Sequence, residues 1–216
     1  MVSKRRGGVW KRFFDLTVAI AALLVSAPLL GLIAVAIKLS SRGPALFLQE
    51  RIGWQGRCFQ IIKFRSMVQD APYMRNADGS AYSSDSDPRV TRLGRILRRT
   101  SLDEMPQLWN VVRGEMSLIG PRPELAEGVR SYRPADFRRL QVRPGMTGWA
   151  VVHGRNEVSV STRRDLDTWY ADHLSFLLDL KILAKTIAMV VASEGINRTS
   201  EPPLRDASST PEVEAE

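Results

Sequence analysis

The chain has 216 residues, of which 44% are hydrophobic and 25% are charged, with 15 glycines and 12 prolines. This length allows one domain with a substantial core, and the composition excludes a collagen-like, wholly disordered or multi-span membrane protein. A single cysteine, Cys58, excludes an internal disulfide and a cysteine-rich zinc site.

The formal charge of +8 is unevenly distributed. Residues 199–216 contain five acids and one arginine, so the rest of the chain has 30 basic and 18 acidic residues, a net charge of +12. A basic body of this kind suits nucleic acid, an anionic membrane surface or a phosphate-bearing substrate. We expect the Ser-, Pro- and Glu-rich tail to be disordered.

Residues 16–37 form a run of 22 uncharged, mostly apolar residues. As a helix it would be ~33 Å long, about one hydrocarbon core. Basic residues flank it on both sides, whereas a single crossing usually leaves them on the cytoplasmic side. Pro28 interrupts the helical hydrogen bonds near its middle, where Ser26 can help to satisfy the freed backbone. We therefore favour a re-entrant helix with its bend at Ser26 and Pro28, and a spanning helix remains the alternative.

Beyond the membrane segment, residues 44–51 and 57–67 are predicted to be strands joined by a turn at 53–56. Residues 71–88 are polar and predict a mobile loop, either a lid or a simple connector. From Arg89 the chain is predicted to be helical, with arginines at 89, 92, 95 and 98 along one face that would suit a diphosphate or lipid headgroups. Residues 172–192 are predicted to form a buried or interfacial helix.

Two carboxylates, Asp103 and Glu104, lie where the sequence predicts a helix start, with Ser101 and Glu104 as a possible capping box. A helix N-terminus stabilises anions, so it would keep a carboxylate ionised and attract a phosphate. Further along, Arg122 lies between two prolines and Arg143 precedes a Pro-Gly pair. Rigid joints that hold an arginine in this way are typical of anion-binding loops.

Together these motifs resemble the bacterial sugar transferase family, the monotopic polyprenyl-phosphate phosphoglycosyl transferases, over about residues 11–196. The matching segments are Lys11 to Asp15, Gln49 to Gly53, Lys63 to Met67, Asp87 to Arg89, Ser101 to Asn110, Met116 to Pro123 and Arg143 to Trp149. The family often has Ser-Pro at the membrane bend, whereas here Ala27 separates Ser26 from Pro28.

The resemblance implies transfer of a sugar phosphate from a UDP-sugar to undecaprenyl phosphate, with release of UMP. It implies that Asp103 is the nucleophile of a covalent aspartyl-phosphosugar intermediate and that Glu104, with Asp103, holds Mg²⁺. It also implies that Arg122 and Arg143, and less directly Lys63, Arg89 and Arg92, bind the substrate phosphates or nucleotide. The chemistry is consistent, since a carboxylate can form an acyl phosphate and Mg²⁺ with arginines neutralises a diphosphate.

The expected fold is α+β and helix-dominated, with interfacial amphipathic helices. Residues 1–40 would form a basic N-terminus and membrane helix, 41–198 a cytosolic catalytic domain and 199–216 a tail. We expect a minimal catalytic form at the bacterial inner membrane, with its catalytic domain on the cytoplasmic face. It would catalyse the first membrane step of exopolysaccharide, capsule, O-antigen or related glycan synthesis.

Other functions compete with this prediction. A nucleic-acid binder would explain the basic charge, but the sequence has no zinc-finger spacing or aromatic RNA-binding signature, and we predict no nucleic-acid partner. A non-catalytic membrane scaffold of a glycan assembly complex is the main alternative. The sequence leaves open which sugar is transferred and whether a homodimer or downstream glycosyltransferases are partners.

Overall fold

The computed structural model of the chain describes residues 8–72, 74, 82, 87–154 and 158–192. Its helices are α1 (Gly8–Ser40), α2 (Arg92–Arg99), α3 (Gln107–Arg113), α4 (Ala126–Arg130), α5 (Val160–His173) and α6 (Phe176–Ala192). Its strands are β1 (Leu46–Ile52), β2 (Cys58–Phe64), β3 (Ser117–Ile119) and β4 (Gly145–Thr147). The helix-dominated α+β fold is therefore confirmed. The predicted tail and most of the predicted loop at 71–88 lie outside the described residues.

Helix α1 is the one helix in the described part of the chain that is long and apolar enough to cross a membrane. It continues through Pro28 without interruption, and Ser26 Oγ donates a hydrogen bond to the carbonyl of Ala22 at 2.6 Å. Large apolar side chains in the middle of α1 are exposed, with Leu24, Val25 and Leu32 at 72, 85 and 69% exposure. Such a surface requires an apolar environment and supports membrane association.

Both ends of α1 pack on the rest of the protein. Near its start, Ala19 is buried in the main hydrophobic core, which α3, β3, α5 and α6 complete with Val111, Met116, Leu118, Ile119, Tyr170 and Ile182. Near its end, Ile33 and Ile37 form a second core with Phe64 and Leu97. The two arms of the helix are thus attached to one body.

Polar contacts fix the first arm as well. Arg12 donates hydrogen bonds to the carbonyls of Val111 and Val112 at the end of α3, where helical carbonyls have no partner within the helix. Asp15 is buried and accepts a hydrogen bond from the backbone N–H of Leu118. The basic and acidic residues that precede the apolar run therefore attach the helix to the body.

The predicted hairpin is confirmed. Strands β1 and β2 are antiparallel, with Leu46 opposite Phe64 and Ile52 opposite Cys58, and a 3-10 turn at Trp54–Gly56 joins them. Asn110 of α3 bonds to both backbone groups of β2 that face it, accepting from the N–H of Ile62 and donating to the carbonyl of Gln60. The hairpin is consequently locked to α3.

The segments around Arg122 and Arg143 form a feature that the sequence did not predict. Strands β3 and β4 are parallel, and the residues just after β3 continue the pairing: Gly120 N–H donates to the carbonyl of Thr147, and Gly145 N–H donates to the carbonyl of Pro121. A Cβ on Gly145 would lie 2.0 Å from the backbone nitrogen of Gly120. The two strands approach so closely because the contact consists of backbone alone.

The helix predicted at 172–192 starts later. Residues up to His173 belong to α5, and α6 begins at Phe176 after a break in which Ser175 Oγ accepts a hydrogen bond from the N–H of Leu178. Serine at a helix start is favoured because its oxygen satisfies a free N–H. Helix α6 keeps exposed apolar residues, including Leu177 at 78% and Ile187 at 57% exposure.

Candidate active site

Asp103 and Glu104 lie on a short 3-10 turn, Leu102–Glu104, between α2 and α3. The predicted capping box is wrong: the Ser101 side chain makes no capping bond, its backbone is left-handed at φ 57°, and α3 begins only at Gln107. Pro106 cannot donate a backbone hydrogen bond, and the Glu104 carboxylate is drawn to two cations instead of to the backbone.

Glu104 is held by one cation from β2 and one from the loop after β3. Lys63 Nζ lies 2.8 Å from Glu104 Oε1, and Arg122 donates to the same oxygen at 2.7 Å and to the other at 3.4 Å. Burial by itself raises the pKa of Glu104, but the charges of Arg122 and Lys63 outweigh it and hold that pKa well below its usual value. Glu104 is therefore a fixed, ionised carboxylate.

Asp103 is in a different state although it is the adjacent residue. Within the part of the chain that the structure describes, its carboxylate accepts no hydrogen bond and forms no ion pair. Burial and then the charge of Glu104 raise the pKa of Asp103 to about 6, against the opposing charges of Lys63, Arg98 and Arg122. At neutral pH Asp103 is ionised, positioned and without a hydrogen bond to either oxygen, which suits a nucleophile.

The arginines that the sequence predicts on one helix face lie in different environments. Arg98 is partly buried and donates to Ser66 Oγ at 2.8 Å, and its charge acts on Asp103. Arg92 is exposed at the start of α2. Arg89 lies before the helix, so the prediction that α2 begins there is wrong.

Arg89 is buried in an ion pair with Asp87, and it also donates to the carbonyls of Pro72 and Tyr82. Asp87 orients it through both carboxylate oxygens. Arg89 therefore holds Asp87 and the carbonyls of Pro72 and Tyr82 together, and among the described residues it has no hydrogen bond or ion pair with Asp103 or Glu104.

Arg143 lies at the other end of α3 from the dyad. Its Nε donates to the carbonyl of Gly114, which ends that helix, and its guanidinium lies over the Trp54 ring with 4.5 Å to the centroid. Helix α3 has seven residues and is therefore ~10 Å long. Of the predicted substrate-binding residues, Lys63 and Arg122 are brought to Glu104, while Arg143, Arg89 and Arg92 lie elsewhere.

Beneath Arg122 is a buried ion network that nothing in the sequence pattern indicated. Arg139 is 4% exposed, pairs with both Glu124 and Asp167, and donates to the backbone carbonyl of Arg122 at 2.9 Å. Glu124, Arg139 and Asp167 are far apart in the chain, so only the fold brings them together. The network fixes the loop that presents Arg122.

Arg163 of α5 is a further residue that the motifs did not identify. Burial lowers its pKa, and the nearby charge of Arg122 lowers it further. A second guanidinium close to Arg122 increases the positive potential beside the dyad, which favours the binding of a multiply charged anion.

The dyad is also compatible with the predicted Mg²⁺. Among the described residues there is no cluster of three or more potential metal ligands, so a metal cage made of protein alone is not present there. Mg²⁺ commonly takes only one or two carboxylates and completes its coordination with water and substrate phosphates. Two adjacent carboxylates, one of which raises the pKa of the other, fit that requirement.

The chain matches the model of the family described as "Bacterial sugar transferase" over residues 6–193. It belongs to the bacterial sugar transferase family. The match includes the membrane helix, the dyad and the paired strands, so the family's sequence pattern covers the whole site described above.

Several curated relatives are similar along most of this chain. "Uncharacterized sugar transferase EpsL" of Bacillus subtilis is 41% identical over 192 residues, 89% of this chain and 92% of the relative. "Exopolysaccharide production protein ExoY" of Rhizobium meliloti is 40% identical, with 88% of each chain covered. "Undecaprenyl-phosphate glucose phosphotransferase" of Komagataeibacter xylinus is 47% identical over 85% of this chain, which spans only 36% of that longer protein.

Proposed function

We propose that the protein transfers a sugar phosphate from a UDP-sugar to undecaprenyl phosphate and releases UMP. The observation that carries the proposal is the dyad itself: Asp103, ionised and without a hydrogen bond among the described residues, stands beside a Glu104 that Lys63 and Arg122 hold fixed. Relatives named as undecaprenyl-phosphate phosphotransferases for glucose and galactose support the substrate class.

In the first step a carboxylate oxygen of Asp103 attacks the phosphorus that carries the sugar. The bond between this phosphorus and the bridging oxygen of the diphosphate breaks, and UMP leaves with the electron pair. In the second step a phosphate oxygen of undecaprenyl phosphate attacks the same phosphorus and releases the Asp103 carboxylate. Two displacements at one site let two large substrates use it in turn.

The basic residues around the dyad have distinct parts in this reaction. Arg122 and Lys63 orient Glu104 and offer further N–H donors to phosphate oxygens, while Arg98 and Arg163 add positive potential. Mg²⁺, held by Asp103 and Glu104, would neutralise the diphosphate and so ease departure of UMP.

The position of the dyad relative to α1 supports a lipid substrate. Leu102, the residue before Asp103, packs against the second core, to which α1 contributes Ile33 and Ile37. A membrane-embedded α1 would therefore hold the dyad close to the headgroup level, where the phosphate of a polyprenyl carrier lies. A re-entrant α1 fits these contacts better than a spanning one, because both of its arms pack on one body.

The reaction is tested by UMP release from detergent-purified protein with Mg²⁺, undecaprenyl phosphate and UDP-glucose, UDP-galactose or UDP-N-acetylgalactosamine. We expect sustained release, over many turnovers, that depends on the lipid and on one donor. Folded protein that releases no UMP with any of the donors would favour the alternative of a non-catalytic scaffold.

The covalent intermediate is tested separately by omitting the lipid. We expect a burst of about one UMP per protein, with the radiolabelled sugar phosphate retained on the chain and released by hydroxylamine, as for an acyl phosphate. Asp103→Asn should show no burst, and Asp165→Asn, which changes an exposed carboxylate of α5, should keep it. A burst of UMP from Asp103→Asn would refute the assignment of Asp103 as the nucleophile.

The topology is tested with cysteines at positions 8 and 41 in a Cys58→Ser background, using a membrane-impermeant maleimide on intact and opened cells. Equal protection of both positions in intact cells supports the re-entrant helix. Labelling of one position alone in intact cells means that α1 spans the membrane.

A further inference from the structure

An open groove lies between the turn of the hairpin, helix α4 and the 3-10 helix Asp136–Gln141. Its volume is about 540 Å³, within the range of roughly 300–1,000 Å³ that is common for binding sites. Its apolar lining consists of Ile52, Ala126, Val129, Phe137 and Leu140. Phe137 is 50% exposed, so the groove leaves a large aromatic side chain in contact with water. An exposed apolar surface of this kind is typical of an interaction site.

The groove is bordered by positive charge. Arg130 of α4 lines it, and Arg57 follows the turn of the hairpin; both side chains are exposed. Within the described residues, neither guanidinium group has an ion pair or a hydrogen bond. Helix α4 also contains one acidic residue, Glu127. The segments that form the groove, residues 52–57 and 126–141, together contain five arginines and two acids, a net charge of +3.

The C-terminal tail has the complementary chemistry. Residues 199–216 contain five acids and one arginine, a net charge of −4. Residues 202–204, Pro-Pro-Leu, are its longest apolar cluster, with Glu201 directly before them and Asp206 two positions after. Proline restricts the unbound chain, so this segment loses less conformational entropy on binding than a flexible one. The tail therefore offers an apolar centre between two negative charges.

The tail is long enough to reach the groove. The side-chain oxygens of Thr186 in α6 and Thr147 in β4 lie 2.8 Å apart. From Thr147 back to Gln141 of the groove the chain spans at most ~21 Å, and from Thr186 to Ala192 the helix spans ~9 Å. With the two threonine side chains, the end of α6 lies within about 40 Å of Gln141. The twelve residues 193–204 can span about 40 Å when extended.

We propose that the C-terminal tail binds back to this groove. Residues 202–204 occupy the apolar lining, while the carboxylates of Glu201 and Asp206 pair with the guanidinium groups of Arg130 and Arg57. Because the tail is tethered, its effective concentration is in the millimolar range, and a dissociation constant of about 0.1 mM would keep the groove about 90% occupied. This inference does not depend on the proposed reaction.

The groove borders the loop that carries Arg122, although it is separate from the dyad. The N–H of Ile52, in the lining, donates to the carbonyl of Glu124 at 2.8 Å. Arg139, the neighbour of Leu140, donates to the carbonyl of Arg122. A segment bound in the groove would therefore restrict the motion of that loop without contact with Asp103 or Glu104.

The experiment uses the full chain with nitroxide labels at the native Cys58 and at Ser208→Cys. Cys58 is exposed and lies two residues after Gly56 of the groove. In lipid nanodiscs, double electron–electron resonance should give a narrow distance distribution centred below about 30 Å, since only four residues separate position 208 from Leu204. A tail that does not bind should give a broad distribution, because the sixteen residues that follow α6 then behave as a random coil.

The decisive variant is Glu201→Gln with Asp206→Asn, which should broaden the distance distribution. The matched control, Glu214→Gln with Glu216→Gln, removes the same charge from the far end of the tail and should keep the short distance. Leu204→Ser, which removes the apolar contact and keeps every charge, should also broaden the distribution.

A second pair of variants tests the groove. Arg130→Gln should broaden the distribution, whereas Arg95→Gln, which removes an exposed arginine of α2, should leave it narrow. The short distance should become less populated in 0.5 M NaCl, because exposed ion pairs are screened. Thermal unfolding of each labelled variant verifies that it is folded.

A broad distribution in the chain that carries only the labels would overturn the proposal. Equal broadening by the two double variants of the tail would do so as well, because general charge and not a local contact would then attract the tail. Loss of the short distance on tenfold dilution with unlabelled protein would place the tail on a neighbouring copy of the chain instead.

Discussion

At the scale of single residues, the site depends on a difference between two neighbouring carboxylates in their ion pairing and their pKa. Glu104 is neutralised by Lys63 and Arg122, whereas Asp103 is left without a hydrogen bond among the described residues, and its pKa is raised to about 6. An ionised carboxylate in this state destabilises the folded protein, because its charge is less well solvated than in the unfolded chain. Reactivity and local instability therefore have one cause.

We predict that Asp103→Asn loses UMP release by at least about 10³-fold while the folded state gains stability. Since the pKa of Asp103 is higher in the folded protein than its usual 3.8, its ionisation destabilises the fold at neutral pH by up to about 3 kcal/mol. The gain should appear in thermal unfolding at pH 7 and vanish below about pH 4. An Asp103→Asn protein less stable than Asp165→Asn at pH 7 would contradict this.

The same pKa predicts the acidic limb of the pH profile. UMP release should fall about tenfold per pH unit below pH about 6, because a protonated Asp103 cannot attack. The charge of Arg98 lowers that pKa, so Arg98→Met should move the limb to higher pH.

Arg99→Met is the matched control for Arg98→Met, since the neighbouring side chain points to solvent. The acidic limb of the pH profile of Arg99→Met should remain at the wild-type pH. Movement of both limbs by the same amount would mean that general surface charge, not a local contact, sets the pKa.

At the scale of elements, the loop that carries Arg122 is positioned by backbone contacts. Strands β3 and β4 meet through Gly120, Gly145 and Gly148, where a Cβ would lie within 2.0 to 2.3 Å of opposing backbone atoms. Backbone atoms cannot move aside as a flexible side chain can. Glycine is therefore required at these positions because a Cβ would collide with the opposing backbone, and not because of an unusual backbone torsion angle. Arg139 then fixes the backbone carbonyl of Arg122 from below.

We predict that Gly145→Ala lowers the free energy of unfolding by roughly 2–4 kcal/mol and reduces UMP release, because the strands must separate and displace Arg122. Chemical denaturation and the UMP assay measure the two effects. Gly31→Ala is the control, since a Cβ there has no atom within 4 Å and alanine favours the helix. Similar stability of the two variants would show that the strand contact tolerates a side chain.

At the scale of the whole molecule, one polar cluster joins the beginning of the described chain to its end. Lys11 lies 2.6 Å from Asp179 of α6, and Tyr170 of α5 donates to the same carboxylate at 2.6 Å. Lys11 also donates to the carbonyl of Ile119, and the Tyr170 hydroxyl lies 3.1 Å from that carbonyl oxygen. Membrane helix, paired strands and the last two helices are thus joined at a point where Asp179 is only 1% exposed.

We predict that Lys11→Met destabilises the protein by about 3–5 kcal/mol, because Asp179 is left as a buried charge without its cation. Thermal unfolding in nanodiscs measures the loss, and Asp179→Asn in the same chain should recover part of it. Lys38→Met removes an exposed lysine from the other end of α1 and should change stability by less than about 0.5 kcal/mol. Equal effects of the two lysine variants would argue against the cluster.

The sequence by itself determined the local features. The apolar run of α1, the hairpin of β1 and β2, and the adjacency of Asp103 and Glu104 all follow from hydrophobic pattern, turn residues and chain order. Motif order was enough to identify the family, which the family match confirmed. The helix start at the dyad was predicted wrongly, because capping rules do not include the distant Lys63 and Arg122 that bind Glu104.

Only the tertiary structure decided which basic residues face the dyad. Arg89, Arg92 and Arg98 belong to one run of arginines at every third position, yet Arg89 pairs with Asp87, Arg92 faces solvent and the charge of Arg98 acts on Asp103. Likewise, Arg122 and Arg143 have similar proline contexts but lie by opposite ends of α3. The physical reason is that ion pairing and burial depend on distances between segments far apart in the chain, which residue spacing does not contain.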